Sequence, residues 1–154
     1  MKCIKSLTVL FLTIFTLNSC DSKDADTVGP TAEITNIEEN QEFKFGENLV
    51  MYFKFTDQTG MNEYKYEIYA KDYTHKSFMY ENHIEFEGYY TELSEIQTVV
   101  LPTKSASEIQ NHQEGEYLIK ITTADVLGNI STHYKTINIF YPQEKTENRA
   151  FTKS

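Results

Sequence analysis

Leu49-Val-Met-Tyr-Phe-Lys-Phe-Thr56, followed by Asp57-Gln-Thr-Gly60 and then Glu63-Tyr-Lys-Tyr-Glu-Ile68, is the stretch that decides the fold class. Leu49, Met51, Phe53 and Phe55 recur at every second position, with Val50, Tyr52, Lys54 and Thr56 between them. A β-strand sends successive side chains to opposite faces, so this spacing predicts a strand with one buried face. Asp57 to Gly60 is predicted to turn the chain. The next strand sets Tyr64, Tyr66 and Ile68 against Glu63, Lys65 and Glu67, the pattern of an antiparallel sheet with one wet face. Ile96, Thr98 and Val100 alternate before Pro102, as do Tyr117, Ile119 and Ile121, and then Ile137, Ile139 and Tyr141 before Pro142. Shorter strands are expected near Ala32 to Ile37 and Glu42 to Phe45. Helical periodicity is nearly absent, and about seven strands with turn residues every 8 to 14 positions predict an all-β antiparallel sandwich.

Two segments break the rhythm. Lys71 to Leu93 is rich in Tyr, His and Glu and alternates poorly, which suits either an edge hairpin or a long connection between sheets. Ser105 to Asn111 has room for one helical turn.

Gln113-Glu-Gly115-Glu-Tyr117-Leu-Ile119 resembles the tyrosine corner of immunoglobulin-like sandwiches, where a Tyr opening a late strand hydrogen-bonds back across the corner. Ile119 then stands where antibody domains place a Cys. Thr123-Ala-Asp125-Val-Leu-Gly128-Asn129 reads as the hairpin between the last two strands, with Asp125 capping it and Gly128 and Asn129 suited to positive φ. Trp is absent, so the centre of such a domain must be filled by Phe, Tyr, Leu and Ile.

Outward from the domain, the N-terminus carries a different signal. Lys2 and Lys5 precede an apolar run from Leu7 to Leu17, and Leu17-Asn-Ser-Cys20 resembles the lipobox of bacterial lipoproteins. The run falls short of the about 20 apolar residues a membrane helix needs. The expected division is a signal peptide at 1–19, lipid attachment at Cys20 with a flexible acidic tether over 20–29, a sandwich over 30–142 and a polar tail over 143–154. Cys3 would leave with the leader, so Cys20 is the one remaining cysteine and no intramolecular disulfide can form. Acyl chains on Cys20 would tether the chain to a membrane without spanning it. The expected location is the cell envelope, as an outer-membrane lipoprotein on the periplasmic face or the cell surface.

The ordering Pro30-x-x-x-Ile34, Gly46, Phe55-Thr-Asp57-x-x-Gly60, the Gly115 corner and Ala124-Asp125-x-x-Gly128-Asn129 resembles a family of Bacteroidetes lipoproteins of unknown function with an immunoglobulin-like or cadherin-like sandwich. The likeness covers about Pro30 to Tyr141 and implies architecture rather than activity. It also implies a His-rich stretch after the third strand, of which this chain keeps His75, with His83 further on. In the same bacteria, acids just after the lipidated Cys resemble a surface-export signal, which Lys23-Asp-Ala-Asp26 matches in part.

Composition narrows the chemistry. Fourteen Lys and Arg stand against 23 Asp and Glu, a net charge of −9 that becomes −11 without Lys2 and Lys5. An acidic chain with no basic cluster repels phosphate backbones, which excludes nucleic acid as a partner. No nucleophile-and-base motif appears, so no catalytic residue is assigned and the chain is not expected to be an enzyme. No cofactor is expected. Metal candidates are His75 and His83, with Glu81 or Glu85, for a transition metal, and Asp57, Asp125 and Asn129 for calcium. Tyr69, Tyr73, Tyr80, Tyr89 and Tyr90 are the candidate ligand surface, since exposed aromatic faces stack on sugars and anchor protein partners. The leading expectation is therefore a non-enzymatic binding or adhesion module for a glycan or protein. The alternatives are a structural subunit of an envelope assembly acting through an exposed strand edge, and a metal-binding lipoprotein.

Overall fold

A computed structural model describes residues 26–74, 76–103 and 112–143. The expected signal peptide, Cys3, Cys20, His75, the Ser105 to Asn111 segment and the tail beyond Gln143 lie outside the described residues. Within them the chain is all-β, with no helix long and apolar enough to cross a membrane. The strands are β1 (Thr31–Ile34), β2 (Gln41–Lys44), β3 (Asn48–Ala70), β4 (Met79–Val100), β5 (Gly115–Asp125) and β6 (Ile130–Phe140).

Two of these are long enough to serve both layers of a sandwich. The first half of β3, 48–56, pairs with β1 and with the second half of β4; its second half, 61–70, pairs with β5 and with the first half of β4. β5 pairs with β6, and β2 joins β6 on the far side. The hydrogen-bonded sheet thus curls on itself into two facing layers: a smaller one of β1, the 48–56 half of β3 and the second half of β4, and a larger one of the first half of β4, the 61–70 half of β3, β5, β6 and β2. Splitting β3 and β4 at their bends, and counting β1 and β2 as one strand shared between layers, gives the seven expected strands of an immunoglobulin-like sandwich.

The bend in β3 corrects one expectation. Asp57 to Gly60 does not reverse the chain; the strand runs through it with a register shift between Thr56 and Met61. Asp57 Oδ2 accepts the backbone N–H groups of Thr59 (3.0 Å) and Gly60 (2.6 Å), and Gly60 takes φ +107°, so the backbone kinks from one layer into the other. A second correction concerns pairing: β2 runs parallel to β6, whereas every other pair is antiparallel. The chain leaves β1, crosses between layers through Asn36 to Asn40 and continues in the same direction. Asn36 eases the crossing by acting as a strand extension, donating to Val50 O and accepting from Tyr52 N, both at 2.8 Å.

The inward set of the opening stretch is as read: Leu49, Met51, Phe53, Phe55, Tyr64, Tyr66 and Ile68 are all fully buried. The two layers meet through their rings, Phe53 lying 5.3 Å from Tyr66 and Phe55 4.6 Å from Tyr64. Each such side chain contributes about 1.5–3 kcal/mol when removed from water. The phase of β4 is the reverse of that expected. Ile96 and Val100 point to solvent, and Val99 and Leu101 fill the core. Of the two readings of Lys71 to Leu93, the edge hairpin is the one found: β4 begins at Met79 and pairs back on β3, with a register shift opposite Met61.

The corner and the last hairpin form as read. Tyr117 donates its hydroxyl hydrogen to Gln113 O at 2.6 Å and accepts Phe78 N–H at 3.3 Å, and Ile119 is fully buried. Asp125 Oδ1 accepts the N–H groups of Leu127 (2.9 Å) and Asn129 (2.7 Å). Gly128 alone takes positive φ there, at +87°; Asn129 does not. Asp26 to Gly29, expected as tether, lie against this hairpin. Asn129 Nδ2 donates to Asp26 O at 3.0 Å, and a Cβ on Gly29 would come within 2.6 Å of Ser131 Oγ.

Candidate functional site: the outer face of the larger layer

Strand alternation lays out the outer face row by row. Residues 63, 65, 67 and 69 of β3 point away from the core, and the register sets Met79, Tyr69 and Leu118 in one row and Glu81, Glu67, Lys120 and Tyr134 in the next. His83, Lys65, Thr122 and Thr132 follow in a third.

The centre of this face is a connected set of ion pairs. Lys120 Nζ lies 2.8 Å from Glu67 Oε2, and Lys65 Nζ lies 3.5 Å from Glu67 Oε1 and 3.0 Å from Glu81 Oε2. The Lys120 hydrogen bond holds the Glu67 carboxyl below its ordinary range, and the same bond raises the Lys120 ammonium. Exposed pairs add little stability, but a shared network fixes the directions of its side chains. Beside it stand Tyr134 (58% exposed) and Met79 (62% exposed), with Tyr69 and Leu118 half-buried. Tyr69 is raised above the usual phenol range by burial and by the neighbouring Tyr134. Aromatic faces next to oriented donors and acceptors are what a sugar ring or a polar protein surface requires.

The structure does not gather the five candidate tyrosines on one surface. Tyr69 is on the outer face. Tyr73 is exposed in the loop before β4, and Tyr80 points inward, packing on Tyr66 with centroids 5.7 Å apart. Tyr89 and Tyr90 sit at the bend of β4, where Tyr90 meets Phe86 edge-on at 5.4 Å. The pairings Tyr69 with Met79 and Met61 with Tyr90 put the two ends roughly 25 Å apart at strand rise. Tyr134, Met79 and Leu118 escaped sequence reading. Counting back by twos from the buried Ile137 and Ile139 places 134 on the outer face, so part of that signal was present.

The metal candidates are partly brought together. His83 Nε2 lies 2.9 Å from Glu63 Oε2, and with Glu85 the three can place ligand atoms within 4.8 Å of one another on the open sheet face. Glu81 pairs with Lys65 instead. At the end of the sandwich, Asp26, Asp57 and Asp125 also bring carboxylate oxygens within 4.8 Å of one another. Asn129 Nδ2 bonds Asp125 Oδ2 at 2.7 Å, so it serves the cluster as a donor. The oxygens of Asp57 and Asp125 already cap turns, while the buried Asp26 Oδ2 has no partner. An open cleft of ≈ 510 Å³ lies beside them, lined by Asp26, Asp57, Glu92, Thr31 and Thr56. His112 and His133 are structural: His112 stacks on Phe45 at 5.9 Å and His133 Nε2 meets Pro30 O at 3.2 Å.

No curated protein matches this chain at the sequence level. Among solved structures, it is similar to an AA10 lytic polysaccharide monooxygenase from Streptomyces lividans, with 11% identity and a TM-score of 0.41 over 68% of this chain, and spans 60% of that protein's length. Murine CRIg gives 10% identity and a TM-score of 0.40 over 74% of this chain and 98% of its own. Residues 18–140 match the model of a domain of unknown function, DUF4625, and that match covers all six strands. The chain therefore belongs to the DUF4625 family.

Proposed function

We propose that this chain is a non-enzymatic recognition module, held at the cell envelope by a lipid on Cys20, that engages a glycan through the outer face of its larger layer. The observation that carries the reading is the placement of Tyr69 and Tyr134 beside the Lys120–Glu67–Lys65 network on one face of the sheet. The rings supply stacking area at low entropic cost, and the oriented charges supply hydrogen bonds to hydroxyls. Because the cations on this face are already paired with carboxylates, a neutral saccharide can bind without stranding a charge.

A glycan array probed with the chain tests this. Binding to one class of saccharide is expected, falling at least about ten-fold, or 1.4 kcal/mol, in Tyr134→Ala and unchanged in Tyr89→Ala. A blank array, or binding that follows Tyr89 instead, contradicts it. Envelope proteins captured in a Tyr134-dependent way would replace the glycan with a protein partner.

A further inference from the structure

Along its whole length β4 pairs on one side only, with β3; among the described residues no strand lies on its other side. Backbone bonds at either end establish which residues face that free edge. Leu101 N–H donates to Glu47 O at 3.0 Å, and Thr35 N–H donates to Tyr52 O at 2.9 Å on the opposite side of β3. Odd-numbered residues in the second half of β4 therefore bond to β3. Ser94, Ile96, Thr98 and Val100 turn their N–H and C=O groups outward. In the first half the phase is opposite. Lys71 N–H donates to Glu116 O at 3.0 Å, so even-numbered residues of β3 face β4 there, and Glu81, His83 and Glu85 hold the outward groups.

The two halves differ sharply in what they would permit. A second strand laid antiparallel on the first half, centred on His83, sets Glu81 against Glu85, and facing like charges destabilise a pair. The second half offers no such obstacle. Centred on Gln97, an identical strand sets Ile96 against Thr98 and Ser94 against Val100. Glu95, the only acid between 93 and 100, is turned inward, where its carboxylate accepts Tyr64 O–H at 2.6 Å and Gln97 Nε2–H at 3.2 Å. Ile96 (66% exposed) and Val100 (70% exposed) flank the edge, with exposed Tyr52 beside Ile96. Long exposed edges are commonly blunted by Lys, Pro or inward charges that leave no bare pairing surface. Here neither Lys nor Pro occurs between 79 and 100; outward carboxylates (Glu81, Glu85, Glu87) line the first half, whereas over 93–100 the one acid is the inward Glu95, already bonded to Tyr64, and Glu92 lies just outside that span.

We infer that two copies of this chain pair antiparallel through residues 93–100 of β4 about a twofold axis at Gln97, joining their smaller layers into one continuous sheet. The occupant is a second copy because the register is self-complementary: under the twofold every facing pair is free of like charges, although the chain as a whole carries −9. This surface is distinct from the outer face assigned to recognition, and the inference stands apart from that reading.

Sedimentation velocity of the full-length chain in non-ionic detergent, over an about hundred-fold range of concentration, tests it. A reversible dimer is expected. Ile96→Glu and Thr98→Pro should each raise its dissociation constant at least about ten-fold. Thr98 N–H serves no bond within the chain, so proline there spares the β3 ladder, and an unchanged β-type circular dichroism spectrum checks folding. Ile130→Glu, exposed on the other layer, should leave the dimer intact. Amide exchange at Ser94, Ile96, Thr98 and Val100 should slow as concentration rises. A single monomeric species throughout, a dimer indifferent to both β4 substitutions, or equal loss in Ile130→Glu would overturn the inference.

Discussion

Two opposed effects act on the carboxylate of Asp125. Burial alone would raise its pKa, but the side chain and backbone of Asn129, the backbone of Leu127 and the hydroxyl of Thr59 all donate to it, and together they hold it below the ordinary carboxylate range. A depressed native pKa means that the ionised form stabilises the fold above the unfolded pKa, near 3.9, and that this contribution is lost as pH falls through the lower native value. Urea unfolding should therefore show stability declining below about pH 4, with a shallower decline in Asp125→Ala. At neutral pH that substitution should cost about 1–3 kcal/mol, since buried donors lose their acceptor. Capping of this kind is legible in a sequence because donor and acceptor lie within four residues. The same holds for Tyr117 and Gln113 at the corner. Asp26 was not legible in this way: it meets the hairpin across about a hundred residues of chain, and nothing local announces the contact.

The bends that carry β3 and β4 from one layer to the other turn on Gly60. At φ +107° an L side chain is strained, and a Cβ there would lie 3.1 Å from Tyr89 Cβ. Gly60→Ala should destabilise the fold by about 1–3 kcal/mol in equilibrium unfolding, and should perturb Tyr89 and Tyr90 more than the distant corner. A cost near zero would mean that the bend relaxes freely. Strand alternation on either side of Gly60 was plain in the sequence, because burial on one face enforces period two. Whether Asp57 to Gly60 reverses the chain or merely kinks it was not, since the local residues suit both and the choice depends on where β4 pairs. The inverted phase of β4 has a similar origin: Val99, Val100 and Leu101 are consecutive apolar residues, so alternation alone cannot decide which of them points inward.

For the molecule as a whole, fold and surface follow from one curled sheet. Its core needs neither Trp nor a disulfide, because Tyr64, Tyr66 and Tyr117 bury their rings and keep their hydroxyls bonded at the margins. Burial raises the phenols of Tyr64 and Tyr66, the latter pushed up to about 12, so both stay neutral donors at any physiological pH. With the core closed in this way, the outer face is left to the paired charges and to Tyr69, Tyr134, Met79 and Leu118. The sequence revealed an aromatic excess but not which rings share a surface, since that depends on the registers of four strands at once. Amide hydrogen exchange with and without soluble envelope polysaccharide reads whether this outer face binds a glycan. Slowed exchange across 63–69, 118–122 and 130–136 is the expected result; protection confined to Tyr89 and Tyr90, or no change anywhere, would contradict it.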